Sequence, residues 1–542
     1  MKWNRLVLVA VWGCALAGWM ELQAGESDLD LAFGDQGIAE TTVGLTGNTP
    51  KDMAVQADGK ILLAGLARDN QSSGTYGYDV GLVRFTADGL PDTTFSEDGK
   101  LMTDINSSGS TYTDDWGNAV VVQPDGKIVV AGASRQYTKT SSVIRFEWYQ
   151  WDLMLLRYLP DGQLDTSFGE GGKVIHDING AGNQPEGFND VALQSDGKII
   201  AVGYSRPGDN RFLVARFNID GTLDTTFGAA GTGLVVEHFS INALEDAYSV
   251  AVLPDDSLVV AGRGVKGDGN NSLCLLKLTA DGQLDTTFNS TGKLATTVGY
   301  SSYGSVAAVD PYGRILVAGY SVPSSGADQN ILLMRMNADG TMDGTFASSG
   351  IFTTSLGDYR YQSVNGIVLS EDEKILLAAR VKDPASIGLM RLNPDGSPDA
   401  EFGTEGAALH EIEGSTDLFV LGLAPAPQNK ILVGAYLNYY ENYTTIITFA
   451  VLRFGSSGLP WAWDEGYTEL TDGWRSLDGF GRYAPTAGDW YWNPAHGHFS
   501  VLPGGSVDGL ILFTTESGWI WTSGPISPWF YRFDTGEWEA DP

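Results

Sequence analysis

Apolar runs rich in Val, Ile and Leu recur along most of the chain, each stopped by Asp-Gly or a related polar pair. The clearest copies read AVQADGKILLAG at residues 54–65, VVVQPDGKIVVAG at 120–132 and VALQSDGKIIAVG at 191–203; weaker ones begin at Val250, Val306, Ile367 and Leu421. A second element, apolar-x-Arg/Lys followed by Asp-Gly, surrounds Arg84, Arg157, Arg216, Lys277, Arg335, Arg391 and Arg453. The third, Asp-x-x-Phe, starts at Asp30, Asp92, Asp165, Asp224, Asp285, Asp343 and Asp399, so each element occurs seven times.

Asp and Gly tolerate the positive φ of a tight turn, so these runs predict β-hairpins. Each cassette supplies four strands: a (AVxVQ), b (KIxVAG), c (LxRF) and d, the stretch after Phe-Gly-x-x-Gly, such as residues 173–176. A four-stranded unit cannot bury both of its faces alone and must stack on its own copies. The expected fold class is therefore all-β: a seven-bladed β-propeller of four-stranded antiparallel blades, with a linear solenoid as runner-up. The phase of the repeat separates the two. The chain opens with Asp30, Phe33 and a strand d at residues 38–43, whereas the seventh cassette stops after strand c at Arg453-Phe454. A ring closed by pairing its first and last segments uses that offset to remove open sheet edges; a solenoid has no use for it.

The QPDGKILVAG-like and DGxLDxxFGxxG strings resemble the delta-60 repeat, a bacterial exported β-propeller repeat, over roughly residues 28–460. The resemblance implies a fold and no particular activity. Departures from it are Asp255-Asp256-Ser257 and Gln428-Asn429 in the turn positions, and Trp461 where the next Asp would stand.

Composition narrows the function classes. Of 542 residues, 67 are acidic and 33 basic, a formal net charge of -34 that disfavours nucleic acid and anionic membrane surfaces as partners. Only Cys14 and Cys274 are present, which excludes a disulfide framework and a cysteine metal cluster. Lys2 and Arg5 precede an apolar run at residues 6–17 that ends Ala-Leu-Ala, the pattern of a signal peptide within residues 1–24, cleaved after 17 or 24. Bulky Trp12 stands where lipoprotein processing at Cys14 wants a small residue. The expected destination is secreted, periplasmic or cell-surface, with no transmembrane segment. The propeller should span 28–460, followed by a tryptophan-rich β module at 461–542, which holds nine of the fifteen tryptophans and three readable aromatic hairpins.

Chemical motifs are sparse. An Asp and an Arg repeated in every blade belong to the blade, the Asp accepting turn amides and pairing with the Arg of the preceding strand. Gly262-Arg263-Gly264-Val265-Lys266-Gly267 matches GxGxxG, but a strand follows it where dinucleotide binding needs a helix N-terminus. His176 and His410 fall on strands d four blades apart, and His496 and His498 flank a glycine in the tail. No cofactor is expected; calcium in the acidic turns is the one alternative, and no compact calcium loop spells it out.

Strand parity places the a–b and c–d turns on one face and the b–c and d–a loops on the other. All length variation lies on the second face, including an insertion in blade two at residues 133–151. Aromatics cluster in the b–c loops of blades seven, one and two: Tyr76, Tyr78, Tyr137, Trp148, Tyr149, Trp151, Tyr439, Tyr440 and Tyr443, expected as a ligand-binding arc. The plain alternative is a longer hairpin covering its own core. The functional expectation is an exported, non-enzymatic propeller that binds carbohydrate or protein at the cell surface through this face. Alternatives are an extracellular polysaccharide hydrolase or lyase with a site in the central funnel, marked by two carboxylates or a His–carboxylate pair at repeat-breaking positions, and a purely structural ring with a surface-attachment tail.

Overall fold

The computed structural model describes residues 27–455, except 69–76, 106–110, 139–150, 179–184, 207–209, 230, 240–243, 266–268, 358, 371, 383–384, 428–429 and 442–443. In the tail it describes nine strands by their backbone. Strands are the sole regular elements among the described residues.

The cassettes fold into seven four-stranded antiparallel meanders. Blade one is Thr46–Val55, Ile61–Arg68, Asp79–Phe85 and Lys100–Thr103; blade three is Glu186–Leu193, Ile199–Ser205, Arg211–Phe217 and Leu234–Glu237. Blade seven takes Ser415–Ala426, Lys430–Glu441 and Thr444–Phe454 from the end of the ring and Ile38–Thr41 from its beginning, with Ile38 opposite Leu452 and Thr41 opposite Phe449. Inner strands of successive blades pack side by side around a full circle. The seven-bladed ring with N-terminal closure is therefore the fold.

Strands b and c are buried on both sides, as in Ile61–Arg68 and Arg211–Phe217, because each blade is sandwiched between two others. The core is accordingly divided into seven apolar layers, one per blade junction; Phe188, Leu213 and Phe217 meet Leu153, Leu155 and Phe168 in the layer between blades two and three.

The repeated polar residues staple these layers at their outer ends. In blade three Arg216 donates Nε to Asp224 (2.8 Å) and Nη1 to the Ala280 carbonyl of blade four (2.6 Å), and lies on the Phe227 ring at 4.7 Å. Asp224 accepts the Thr226 amide and hydroxyl; although burial opposes ionisation, these bonds and the charges of Arg216 and Lys198 hold its carboxyl at about 2. Gly282 of blade four stands on the Phe227 ring, where a Cβ would come within 2.7 Å. The Arg/Lys–Asp pair recurs at all seven junctions, as expected from the repeat. At the closing junction Asp30 and Phe33 come from the N-terminal segment and meet Lys430 and Arg453.

Two boundaries differ from expectation. Strand b of blade two continues to Thr138, so the first part of its insertion is strand, and Tyr439 and Tyr440 lie on strand Lys430–Glu441 instead of a loop. Long b–c hairpins extend the ladder because alternating polar and apolar residues continue the strand pattern. In the tail, consecutive strands pair in order, with Tyr491 opposite Phe499, Leu512 opposite Ile520 and Tyr531 opposite Trp538.

Candidate functional site

Every inner strand slips register by one residue at the same place, inserting one extra residue before Asp52, Ala119, Asp190, Ser249, Val306, Gly366 and Gly422. Such a β-bulge leaves one residue without a partner and turns its side chain out of the ladder. The bulged residues are Lys51, Asn118, Asn189, Tyr248, Ser305, Asn365 and Leu421. All seven line one cavity on the axis of the ring, about 600 Å³ in volume.

The bulge explains the glycine that ends strand b. A Cβ at Gly132 would lie 1.7 Å from the Trp116 carbonyl oxygen, which the bulge swings toward it, and Gly65, Gly203, Gly262 and Gly319 face the same obstruction. Blades six and seven carry Ala379 and Ala435 there, and the glycine moves to the inner strand as Gly366 and Gly422.

Polar side chains at and after the bulges tie the inner strands together on one side of the ring. Asn118 Nδ2 donates to the Phe188 carbonyl and Asn189 Nδ2 to the Ala247 carbonyl, both at 2.8 Å. Asp52 accepts the Met53 and Val120 amides, each at 2.7 Å, and Asp190 accepts those of Val191 (2.7 Å) and Val250 (2.8 Å). Ser249 Oγ accepts the Ala307 amide. Ser305 and Asn365 make no such bond among the described residues, and the Ser305 hydroxyl is buried without a hydrogen-bond partner.

The channel is electrostatically uneven. Burial, followed by the charge of Asp190, pushes the Asp52 carboxyl up to about 7, and burial pushes Asp190 to about 6. Lys51 is open to channel water yet surrounded by protein, and that partial desolvation lowers its ammonium pKa. No carboxylate among the described residues lies within ion-pairing distance of it. Toward the variable-loop face two aromatic clusters flank the channel. Tyr248 donates to Asp246 (3.1 Å) and lies 5.1 Å from Tyr303, which stacks on Tyr320 under Arg263. Across the opening, Arg380 sits 3.5 Å over the Phe419 ring, which meets Tyr436 at 4.7 Å.

The expected aromatic arc is divided. Trp151 packs against Trp116 with ring centroids 4.2 Å apart, under Arg135, which pairs with Asp114. Tyr78 joins the same junction, its amide donating to Asp114 and its ring lying under Arg68. Tyr439 points elsewhere, its hydroxyl donating to Glu40 on the outer strand, and Tyr440 is 61% exposed. Tyr137 pairs with Tyr112 through the backbone, while Tyr76, Trp148, Tyr149 and Tyr443 lie outside the described residues. None of the described members lines the channel.

Asp79, Asp104 and Asp115 bring three carboxylate oxygens within 4.8 Å between blades one and two. Asp115 is buried, which pushes its carboxyl to about 6, and it already accepts Ser134, Thr113 and the Ile105 amide. Three oxygens fall well short of the ~6–8 that calcium takes.

Seven segments match one family model. Its description is a domain of unknown function (DUF5122) beta-propeller, and the matched residues are 56–95, 123–147, 148–168, 194–227, 253–288, 313–346 and 371–402. Two of these, 123–147 and 148–168, meet inside the blade-two insertion, so the DUF5122-like segments fall in blades one to six; blade seven, whose Asp-Gly is replaced by Gln428-Asn429, is not matched. Comparison with curated protein sequences gives no match. Similar solved structures include a PL25 ulvan lyase (10% identity, 77% of this chain and 94% of that chain, TM-score 0.39). Polysaccharide lyase Uly1 is similar at 9% identity (78% and 93%, TM-score 0.42), and Trypanosoma rangeli sialidase at 12% (93% and 86%, TM-score 0.36).

Proposed function

We propose that this protein is an exported binding propeller whose ligand, a polyhydroxylated molecule such as an oligosaccharide, enters the central channel from the variable-loop face. The observation that supports this most is the asymmetry of the bulge ring. At positions equivalent by symmetry the blades carry Lys, Asn, Asn, Tyr, Ser, Asn and Leu, while the strands behind them repeat almost unchanged. Amides, hydroxyls and ring faces around one water-accessible cavity match the alternating polar and apolar surface of a sugar. A glycan array probed with the full mature chain tests the reading; binding to no glycan counts against it.

A catalytic reading has one observation in its favour: Asp52 and Asp190 stand at repeat-breaking positions in the funnel with raised pKa values, beside a lysine whose pKa is lowered. Both carboxylates already spend their oxygens on main-chain amides, one of their own strand and one of the neighbouring inner strand, which is why binding is preferred. Release of new reducing ends or of unsaturated sugars from a bound polysaccharide would reverse that preference.

A further inference from the structure

Ion pairing uses up most of the cations of this acidic ring. Lys60, Lys127, Lys198, Lys374 and Lys430 each reach the buried Asp of their blade, and the repeated Arg does the same. Lys51 departs from that pattern. Among the described residues it is the one cationic side chain on the channel wall, it has no hydrogen bond or ion pair there, and its surroundings already disfavour its charge. An ammonium on the channel wall without a counter-charge is placed to pair with an entering anion.

Two carboxylates share the wall, and both are muted. Asp52 and Asp190 each accept two backbone amides, one from the next residue of their own strand and one, Val120 or Val250, from the inner strand of the following blade. Their raised pKa values leave part of their charge neutralised at pH 6, which lowers the negative charge an entering anion meets. The remaining titratable groups on the wall are the phenols of Tyr248, Tyr303 and Tyr436, which burial keeps protonated.

Resting on the channel-binding reading, we infer that the ligand is acidic, a saccharide bearing a carboxylate that pairs with Lys51 while its hydroxyls meet Asn118, Asn189 and Asn365. The position of Lys51 on the bulge of blade one, beside blade seven, sets the acidic group on that side of the channel. The Arg380–Phe419–Tyr436 cluster of blades six and seven then lies next to the same sugar unit.

The test is calorimetry with the full mature chain, using oligomers of galacturonic acid and galactose oligomers of the same length as neutral controls. The acidic series should bind at least ten-fold more tightly than the neutral one at pH 6. Lys51→Met should remove that preference, and Lys51→Arg should keep it. Between pH 8 and pH 5.5 the acidic affinity should rise as Asp52 and Asp190 take up protons. Equal binding of both series, or a Lys51→Met protein that still prefers the acid, overturns the inference and leaves the channel reading standing. Binding of neither series overturns both.

Discussion

Asp30 allows the ring closure to be tested with one substitution. Its side chain is fully buried and accepts Lys430 Nζ at 2.6 Å, Arg453 Nε at 2.7 Å and the Ala32 amide at 3.2 Å, with 400 and 423 residues separating it from the two cations. Burial alone would raise its pKa; the bonds to Lys430 and Arg453 outweigh that and lower it. Asp30→Ala leaves two mostly buried cations without a counter-charge, and breaking a buried pair in this way costs about 3–5 kcal/mol. With an unfolding entropy of ~2.1 cal/mol/K per residue over the ~430 residues of the ring, that corresponds to a Tm loss of about 3–6 °C if the ring melts as one unit. Calorimetry of wild type, Asp30→Ala, Arg453→Ala and the double variant gives the coupling directly, and the double variant should lose less than the sum of the singles. Because the folded pKa of Asp30 is depressed, its contribution is present above the unfolded value and fades as pH falls through the folded one, so the gap between wild type and Asp30→Ala should narrow in acid. An Asp30→Ala protein that melts within 1 °C of wild type would refute closure through this segment.

Gly282 and Gly313 both have φ near +80°, but a Cβ would strike Phe227 at the first and meet nothing within 4 Å at the second. Gly313→Ala should cost about 1 kcal/mol from backbone strain, and Gly282→Ala about 1–3 kcal/mol more from overpacking, read by urea denaturation. For Asp52 the folded pKa is raised, so its ionisation destabilises the ring as pH climbs from the unfolded value through about 7. Asp52→Asn should therefore gain on wild type by about 1–3 kcal/mol between pH 5 and pH 8.5, a figure discounted for channel water; a constant difference across that range would contradict the assignment. Trp151→Ala should lower the Tm, because its ring packs at a tilt against Trp116 and is covered by Arg135.

The architecture was legible because seven copies of one cassette report it independently, and the phase between the first Asp-x-x-Phe and the last strand c located the closure. The Asp and Arg of each blade were readable as a pair, yet their second task was not: Arg216 bonding Ala280 and Gly282 standing on Phe227 join different blades, which no single cassette displays. The ring of bulged residues lining the channel was not readable for a related reason, although the central funnel stood among the expected sites. A bulge adds one residue without altering composition, and its sequence signal is the glycine closing strand b, which reads as an ordinary turn residue. The informative position lies just before the apolar start of strand a, where Lys51, Asn118, Asn189, Tyr248, Ser305, Asn365 and Leu421 vary against a constant background. Loop aromatics drew attention because large rings in a long insertion are conspicuous. Of these, Trp151 is engaged by Trp116, Tyr78 by Arg68 and Tyr439 by Glu40, while Tyr440 is exposed.

The central claim is that recognition occurs in the channel, and Asn365 tests it because it lines the cavity without tying one inner strand to the next. Asn365→Trp should fill much of the space between blades five and seven while leaving the melting transition in place. Titrating the best glycan from the array into wild type, Asn365→Trp and Tyr440→Ala is the deciding measurement. At least a ten-fold loss of affinity for Asn365→Trp, with wild-type affinity for Tyr440→Ala, is the predicted result; full affinity in a folded Asn365→Trp protein would contradict it.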